Sequence, residues 1–339
     1  MTRGRGASIP PRATGPVATV PLDRLPSLSG AGRVPANLPG AASLRGAPAA
    51  HPTGDTAPVY GSRDALALVW PDLDRRPVLV ATDFDGTVSH IVMDPWGAQI
   101  LPAARRALRR LAGMSEVTVA MLSGRTATDA ASRARIGGAI YLGDHGLERG
   151  VLRRGAPAES VDVTLDAAYA PYAADAARVA AAVAARVAEP WLVVELKGPT
   201  FTFHFRSAPD VGLAGTRITE AVEEADPGHR FERFRGRRAF ELRPPGATAK
   251  GDAMRELLDE VRPGLAFALG DDRSDAQAFA VLREAREAGR VRGLAVGVHA
   301  HAELQLEVAE AADIVLASPK ESAAFLSGLA RRLGGPPGG

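Results

Sequence analysis

The sequence predicts an α/β fold in which an inserted α+β domain divides a parallel-sheet core. Short apolar runs alternate with segments of helical periodicity, as in sheets built from strand–helix–strand units. These runs are apolar throughout, which is typical of strands buried on both faces. Between about residues 149 and 246 the pattern changes to strands with one polar face, and this change marks the insert.

The first half of the predicted core contains three strands and a helix. Residues 77–84 form a short apolar run that an Asp-Gly-Thr segment ends. Residues 102–112 place apolar side chains at helical spacing, with Pro102 at the start, where proline is tolerated. Residues 117–122 and 139–142 are two further buried strands, so the alternation favours a parallel sheet.

The insert is predicted to contain two helices and three strands. The helices cover residues 166–188 and 211–225, and the strands cover residues 191–196, 200–206 and 238–243. In the last strand, Phe240 and Leu242 fall on one face, whereas Glu241 and Arg243 fall on the other. Such alternation predicts an antiparallel sheet with one polar face.

The core pattern returns after the insert. Residues 250–261 and 275–288 are predicted helices on either side of a buried strand at residues 264–269. A short strand at residues 294–298 and a helix at residues 320–332 complete the chain. The simplest interpretation is a single core that the insert interrupts.

The expected domains follow from these elements. They are a core of residues 64–148 and 247–332, an inserted domain of residues 149–246, and tails of residues 1–60 and 333–339. The first 60 residues contain 8 Gly and 10 Pro, the composition of a disordered segment. The C-terminal sequence GGPPGG is likewise expected to be unstructured.

Composition excludes several classes of function. The 339-residue chain has no cysteine, which excludes disulfides, thiolate catalysis and Cys-ligated metal centres. The first 60 residues carry six Arg and two Asp, which leaves −2 on the rest of a chain of net charge +2 and no excess for nucleic acid. No apolar run approaches the roughly 20 residues of a membrane span, and because no apolar region follows the early arginines, we expect no secretory signal. We therefore expect a cytoplasmic protein without a nucleic-acid, membrane or obligate protein partner.

Polar residues follow four of the predicted core strands: Asp83 and Asp85, Ser123 and Arg125, Asp144 and His145, and Asp271, Asp272 and Asp275. The carboxyl ends of such strands form the ligand crevice of open α/β sheets, so these residues predict one acidic pocket. Carboxylates without His or Cys suit a hard cation such as Mg²⁺. Lys250, one of three lysines, opens a helix after the insert. An ammonium among carboxylates indicates an anionic ligand such as phosphate.

The segment Asp83-Phe84-Asp85-Gly86-Thr87 is the strongest of these signals. Two aspartates two positions apart, where a strand stops, can face the same crevice. One can attack phosphorus as a nucleophile, and the other can protonate the leaving oxygen and then activate water. Taken alone, the segment is also compatible with an ordinary Asp-Gly turn. The other strand ends favour the catalytic interpretation.

These residues resemble the four motifs of haloacid dehalogenase-like phosphatases: Asp83-x-Asp85-Gly86-Thr87, Ser123, Lys250 and Gly270-Asp271-Asp272-x-x-Asp275. They occur in that family's order, and the insert lies where one class of the family has its cap domain. Finer features are similar to trehalose-6-phosphate phosphatases: Ser123-Gly124-Arg125, Gly143-x-His145-Gly146-x-Glu148, Glu195-x-Lys197, His204-Phe205-Arg206, Glu241-Leu242-Arg243-Pro244 and Lys250-Gly251. The resemblance covers roughly residues 75–332. It implies a Rossmann-like parallel-sheet core of haloacid dehalogenase type with an α+β cap.

The resemblance also implies a role for each matching residue. Asp83 would be the nucleophile and Asp85 the general acid/base. Asp83, the backbone carbonyl of Asp85 and Asp271 would hold Mg²⁺, and Asp275 would support its water shell. The transferring phosphoryl group would be held by Ser123 and Lys250. The substrate would be bound by Arg125, His145, Glu195, Lys197 and Glu241, the last three through sugar hydroxyls.

The implied function is Mg²⁺-dependent hydrolysis of trehalose 6-phosphate through an aspartyl-phosphate intermediate, by a phosphatase without a synthase-like domain. The nearest alternative is the same chemistry on sucrose phosphate or mannosyl-3-phosphoglycerate. Glu195 and Glu241 favour hydroxyl binding over recognition of the glyceryl carboxylate. A receiver-like signalling module would lack Asp85 and the cap. A non-catalytic sugar-phosphate sensor would tolerate loss of Asp83 or Asp85, and both are intact.

Several positions leave more than one interpretation open. The chain departs from the motif common in the family at Ser274, Ala276 and Gln277, so a contact around the metal site is expected to differ. Asp272 can act at the site or cap the following helix. His145 can touch substrate or fix its loop. Arg206 and Arg243 are expected to pair with carboxylates of the cap.

Overall fold

The computed structural model describes residues 56–236, 238–300 and 305–335. Its strands are β1 (Val59–Tyr60), β2 (Val78–Thr82), β3 (Val117–Leu122), β4 (Ile140–Gly143), β5 (Glu148–Val151), β6 (Asp162–Leu165), β7 (Val193–Leu196), β8 (Phe201–His204), β9 (Glu232–Arg235), β10 (Ala239–Arg243), β11 (Leu265–Gly270), β12 (Arg292–Val298) and β13 (Ile314–Leu316). Its α-helices are α1 (Ser62–Val69), α2 (Pro102–Ala112), α3 (Ala127–Ala134), α4 (Tyr172–Val187), α5 (Val211–Ala225), α6 (Lys250–Val261), α7 (Arg273–Glu287), α8 (Leu306–Ala311) and α9 (Pro319–Leu333). Of the expected tails, residues 1–55 and 336–339 lie outside the described residues.

Nine strands form one sheet in the order β1-β13-β12-β11-β2-β3-β4-β5-β6. The pairs from β1 to β4 are parallel, whereas β5 and β6 are added in antiparallel orientation. In β2, Val78 and Val80 pack into one apolar cluster, and Leu79 and Ala81 pack into another. Alternate side chains of a strand point to opposite faces, so the strand is apolar throughout because both faces are covered. The predicted α/β fold class with its parallel core is confirmed.

Helices cover both faces of this sheet. The cluster that includes Val80 also contains Leu108 of α2 and Phe325 of α9. The opposite cluster contains Leu257 of α6 and Phe279 of α7. Among the described residues, no helix has the length and apolar character that a membrane crossing requires.

The other four strands form an antiparallel sheet in the order β7-β8-β10-β9, and α4 and α5 pack on one of its faces. Phe201 and Phe203 of β8 point toward these helices. Thr202 and His204 point away from them, as the alternating pattern predicts. We call this unit, residues 172–243, the cap. The Tyr169 hydroxyl donates a hydrogen bond to the Gly246 carbonyl at 2.7 Å and joins the segments that enter and leave it.

The predicted start of the insert at residue 149 is wrong. β5 pairs with β4 and β6 pairs with β5, so the core sheet continues as far as Leu165. β6 is largely exposed, but Val161, Val163 and Leu165 alternate with polar residues, and Val161 and Val163 pack against the core cluster, so this alternation is the signal that could have assigned it to the core.

The predicted start of order near Asp64 is also too late. Ala57 is buried, and the two residues of β1 pair with β13 at the edge of the core sheet. Backbone hydrogen bonds make this pairing, so side-chain composition gave no sign of it. At the other end, α9 includes Leu333, so the predicted start of the C-terminal tail at residue 333 is one residue too early.

Candidate active site

The carboxyl ends of β11, β2, β3 and β4 lie side by side, and residues that follow them border one cavity of about 760 Å³. Predicted site residues on the core side of this cavity are Asp83, Asp85, Arg125, His145 and Lys250. Those on the cap side are Glu195, Lys197 and Glu241. The remaining three, Ser123, Asp271 and Asp275, are buried and are not among the described residues that line the cavity. The structure thus brings residues from both units to one site.

Asp83 directly follows β2 and is only 5% exposed. Lys250, the first residue of α6, donates hydrogen bonds to Asp83 Oδ1 at 2.7 Å and to Asp275 Oδ1 at 2.8 Å. Burial raises the pKa of Asp83 to about 6, while the Lys250 ammonium acts in the opposite direction. A buried ammonium requires such partners, and here they are the first and last motif aspartates.

Asp83, Asp271 and Asp275 form a buried group in which one carboxylate oxygen from each residue lies within 4.8 Å of the others. Burial raises the pKa of Asp271 and of Asp275 well above the usual range, and neighbouring carboxylates add to this effect. A cation would relieve this concentration of like charge. Because the donors are all oxygen atoms, the group fits a hard metal ion.

The loop after β2 passes very close to this group. Gly86 has φ +77°, and a Cβ atom there would lie 2.2 Å from Asp271 Oδ2. Thr87 Oγ1 donates a hydrogen bond to Asp271 Oδ1 at 3.2 Å. Glycine is therefore required both by the backbone conformation and by the space. The Asp85-Gly86 segment therefore packs directly against the acidic group and is not an isolated turn.

Asp272 caps α7, which confirms the capping interpretation. Its carboxylate accepts hydrogen bonds from Ser274 N at 2.8 Å and from Asp275 N at 3.2 Å. Asp275 Oδ2 accepts from Asp272 N at 3.2 Å in return. This reciprocal pairing fixes the start of the helix, and Asp272 also borders the cavity.

Arg125 holds the second aspartate of the first motif. Its Nε and Nη2 donate to Asp85 Oδ2 and Oδ1 at 2.7 and 2.8 Å, and its Nη1 donates to Asp129 Oδ2 at 2.7 Å. Such a two-point contact fixes the orientation of a carboxylate. The sequence reasoning missed Asp129. Its position four residues after Arg125, at helical spacing, is a signal that could have revealed it.

Ser123 follows β3 and is 1% exposed. Its Oγ accepts a hydrogen bond from Arg125 N at 3.2 Å, and its carbonyl accepts one from His145 N at 2.9 Å. Ser123 therefore connects two loops that carry predicted site residues. Its contact with a phosphoryl group stays a prediction.

On the cap side, Glu195 Oε2 and His204 Nε2 are hydrogen-bonded at 2.8 Å. Although burial raises the pKa of Glu195, the contact with His204 holds it below its usual value. The role of His204 as a partner of Glu195 was missed. His204 lies on the polar face of β8, which is the strand next to β7. This position is the signal that could have indicated its contact with Glu195.

Glu241 is the centre of a second cap cluster. Its Oε1 accepts a hydrogen bond from Lys197 Nζ at 2.7 Å, and its Oε2 accepts one from Arg243 Nη2 at 2.6 Å. His145 Nε2 lies 3.3 Å from the same Oε2. Although burial raises the pKa of Glu241, Lys197 and His145 hold it well below the usual range. Burial lowers the pKa of His145.

Two open interpretations are settled by these contacts. Arg243 pairs with a cap carboxylate, as expected. For Arg206 that expectation is wrong, since its Nη1 donates to the Val92 carbonyl of the core at 2.7 Å. The nearby carboxylate of Glu195 is already paired with His204.

The sequence matches the family model of trehalose-phosphatase over residues 81–308. A trehalose-phosphate phosphatase of Mycobacterium avium is 34% identical over 286 residues, which cover 80% of this chain and 65% of that protein. One of Mycobacterium leprae is 31% identical over 278 residues, covering 77% of this chain and 59% of that protein. The match thus spans about two thirds or less of these relatives' length.

Solved structures share the fold. The C-terminal domain of Candida albicans trehalose-6-phosphate phosphatase has a TM-score of 0.63 at 20% identity, covering 82% of this chain and 99% of that one. A trehalose-6-phosphate phosphatase related protein has a TM-score of 0.58 at 19% identity, covering 74% of this chain and 96% of that one. At these identities the likeness concerns the fold alone.

Proposed function

The chain belongs to the trehalose-phosphatase family, and from this membership we propose that it hydrolyses trehalose 6-phosphate to trehalose and phosphate. It would therefore be a phosphoric monoester hydrolase of trehalose biosynthesis. The curated relatives bear the name trehalose-phosphate phosphatase. The family match includes every residue to which a role is assigned below.

The position of Asp83 and Asp85 carries this proposal. Both follow the central strand β2 and border a cavity whose other side is formed by Glu195 and Glu241 of the cap. A phosphoryl group placed against Asp83 would leave its sugar in contact with cap side chains. The arrangement suits an ester with a large polar leaving group.

In the first step, a carboxylate oxygen of Asp83 attacks phosphorus and the bond from phosphorus to the sugar oxygen breaks. The leaving oxygen takes a proton from Asp85. Lys250, 2.7 Å from Asp83 Oδ1, orients the nucleophile and offsets the charge of the phosphoryl oxygens. Asp85 donates this proton from one of the two oxygens that contact Arg125, since a protonated carboxyl oxygen still has a lone pair that can accept.

In the second step, Asp85 takes a proton from water, and the water oxygen attacks phosphorus. The bond between phosphorus and Asp83 then breaks, which releases phosphate. Both carboxyl groups return to their starting protonation, so one pair of aspartates serves both steps.

The metal ion is proposed to be Mg²⁺, held by Asp83, Asp271 and the backbone carbonyl of Asp85. When bound, this ion would neutralise phosphoryl charge and align the group with Asp83. Asp275 accepts hydrogen bonds from Lys250 and from Asp271 N. Its two oxygens are thus engaged, which supports an outer role at the water shell.

The sugar is proposed to contact the cap wall. Glu195 and Glu241 supply acceptors for hydroxyl groups, and Lys197, His145 and Arg125 border the same space. Through contacts with the sugar, Glu195, Glu241, Lys197 and His145 would make trehalose 6-phosphate a better substrate than a small phosphate ester. Location in the cytoplasm and independence from a protein partner stay predictions.

The experiment is phosphate release by the purified full chain with Mg²⁺, measured on trehalose 6-phosphate, sucrose phosphate, mannosyl-3-phosphoglycerate and p-nitrophenyl phosphate. We expect the highest kcat/KM for trehalose 6-phosphate. A higher value for another sugar phosphate would reassign the substrate. Saturable binding of trehalose 6-phosphate without phosphate release would instead support the sensor hypothesis.

A further inference from the structure

Polar contacts join the cap to the core beside the cavity. Lys197 Nζ donates a hydrogen bond to the Gly124 carbonyl at 2.9 Å and lies 3.4 Å from Asp144 Oδ1. Thr200 Oγ1 donates to Asp144 Oδ2 at 2.5 Å. The Asp144 carboxylate of the core thus contacts two cap residues, which are the first and last residues of the turn between β7 and β8.

Asp144 is an unusual place for a charge. Its side chain is fully buried, its φ is +48°, and it is not among the described residues that line the cavity. Within the described part of the chain, Asp144 Oδ1 has no hydrogen-bond donor, although the Lys197 ammonium lies at ion-pair distance. A buried carboxylate is costly unless an opposite charge compensates it. Here that charge is supplied by the cap.

Donor counting separates Lys197 from Glu241. An ammonium has three N–H groups, and Lys197 uses two for the Gly124 carbonyl and Glu241. Beyond Glu241, the carboxylate at ion-pair distance from Lys197 is that of Asp144. The Glu241 carboxylate has about four acceptor positions and meets Lys197, Arg243 and His145, so it keeps capacity for a hydroxyl group. The three N–H groups of Lys197 thus have protein partners nearby, whereas Glu241 keeps one acceptor position for a hydroxyl group.

We propose that Asp144 is a positioning residue for the sugar. Its carboxylate contacts Lys197 and Thr200 of the cap, and these contacts hold the cap in the position where its Glu241 and the core residue His145 both face the sugar. The identity of this sugar rests on the proposed function. Asp144 itself touches no reacting atom. Its loss should therefore affect a substrate that needs the cap and spare one that does not.

The test is Asp144→Asn. Asparagine has the same shape, tolerates the left-handed backbone conformation and still accepts the Thr200 hydrogen bond, but it removes the charge that faces Lys197. We expect kcat/KM for trehalose 6-phosphate to fall roughly tenfold, the effect of losing one charge-assisted contact. The value for p-nitrophenyl phosphate should stay nearly unchanged. Amide hydrogen exchange across residues 197–204 should become faster.

Glu116→Gln is the matched control. Glu116 also has a positive φ, of 56°, and is exposed before β3, at the far end of the core from the cavity. This change removes one negative charge at a left-handed position without touching the cap. It should leave both substrates and the hydrogen exchange of the cap unaltered.

Thr200→Val provides a second variant that removes the hydrogen bond from the cap side. We expect the same substrate-selective loss, and the double variant should lose less than the sum of the two because both changes weaken the attachment of the same cap turn to residue 144. Equal losses on both substrates would overturn the proposal, as would unchanged hydrogen exchange. If the parent protein cleaves p-nitrophenyl phosphate but not trehalose 6-phosphate, the proposed function fails, and the hydrogen exchange alone decides the role of Asp144.

Discussion

Arg125 donates hydrogen bonds to both carboxylate oxygens of Asp85, at 2.7 and 2.8 Å. It lies in the loop after β3, the strand next to β2. The contact orients the proposed acid/base before any substrate group reaches it. It also gives Arg125 a role besides the substrate contact that the resemblance implies, which stays a prediction.

We predict that Arg125→Lys lowers kcat for trehalose 6-phosphate and for p-nitrophenyl phosphate alike. Lysine keeps the charge but loses the two-point grip, so part of the 10²–10⁴-fold that acid/base catalysis typically contributes should be lost, about 10- to 100-fold. Steady-state kinetics on both substrates measure this. A rise in KM confined to trehalose 6-phosphate would show instead that Arg125 acts by binding the sugar phosphate.

Asp83→Asn should reduce turnover by roughly a thousandfold or more, because an amide is a poor nucleophile. The fold should persist, since Lys250 keeps its bond to Asp275. Phosphate release and a thermal melt check the two parts. Asp259→Asn, on the exposed face of α6, is the control for loss of one carboxylate. Near-normal activity in the folded variant would remove Asp83 from the mechanism.

Treatment with EDTA should abolish phosphatase activity, and added Mg²⁺ should restore it. Mg²⁺ should also raise the Tm of the parent protein, because a ligand that binds only the folded state stabilises it. Asp271→Asn should lose this Tm increase. Full activity after exhaustive chelation, or an equal Tm increase in the variant, would contradict the assigned metal site.

Glu241→Gln should lower kcat/KM for trehalose 6-phosphate about 10- to 150-fold, the value of a charge-assisted hydrogen bond of roughly 1.5–3 kcal/mol. Hydrolysis of p-nitrophenyl phosphate should change little. Glutamine keeps the size of the side chain, but its single oxygen can accept from either Lys197 or Arg243 and not from both. The ratio of the two specificity constants is the measurement. An unchanged ratio together with a lower Tm would leave Glu241 only its structural contacts.

Two N-terminal truncations should behave differently. Removal of residues 1–55 should leave kcat and Tm nearly unchanged, since all assigned site residues lie beyond it. Removal of residues 1–60 also deletes buried Ala57 and the β1–β13 pairing, which should lower the free energy of unfolding by about 1–2 kcal/mol. Equal melting curves for the two truncated proteins would refute a stabilising role for β1, and loss of kcat in the shorter truncation would place residues 1–55 in the active unit.

The sequence predicted those parts of the fold that local signals determine. α2 covers the predicted residues 102–112 with Pro102 in its first turn, and α5 covers the predicted residues 211–225, where Asp210 caps the helix. β9 was missed because it is exposed and charged, without an apolar face.

The same distinction applies to the site. Asp83 and Asp271 could be predicted because parallel topology brings strand ends together. The contact of Thr200 with Asp144 joins residues 56 positions apart. It depends on how the cap approaches the core, which neither periodicity nor residue spacing encodes.

The chain leaves and re-enters the core through adjacent segments, which Tyr169 and the Gly246 carbonyl tie together. The polypeptide therefore enters and leaves the cap at one junction, so the sequence of the cap can change without altering the register of the core strands. Selection for a new sugar can change residues of the cap while Asp83, Asp85 and Lys250 stay in place. In this architecture, the evolution of substrate choice is separable from the evolution of phosphoryl chemistry.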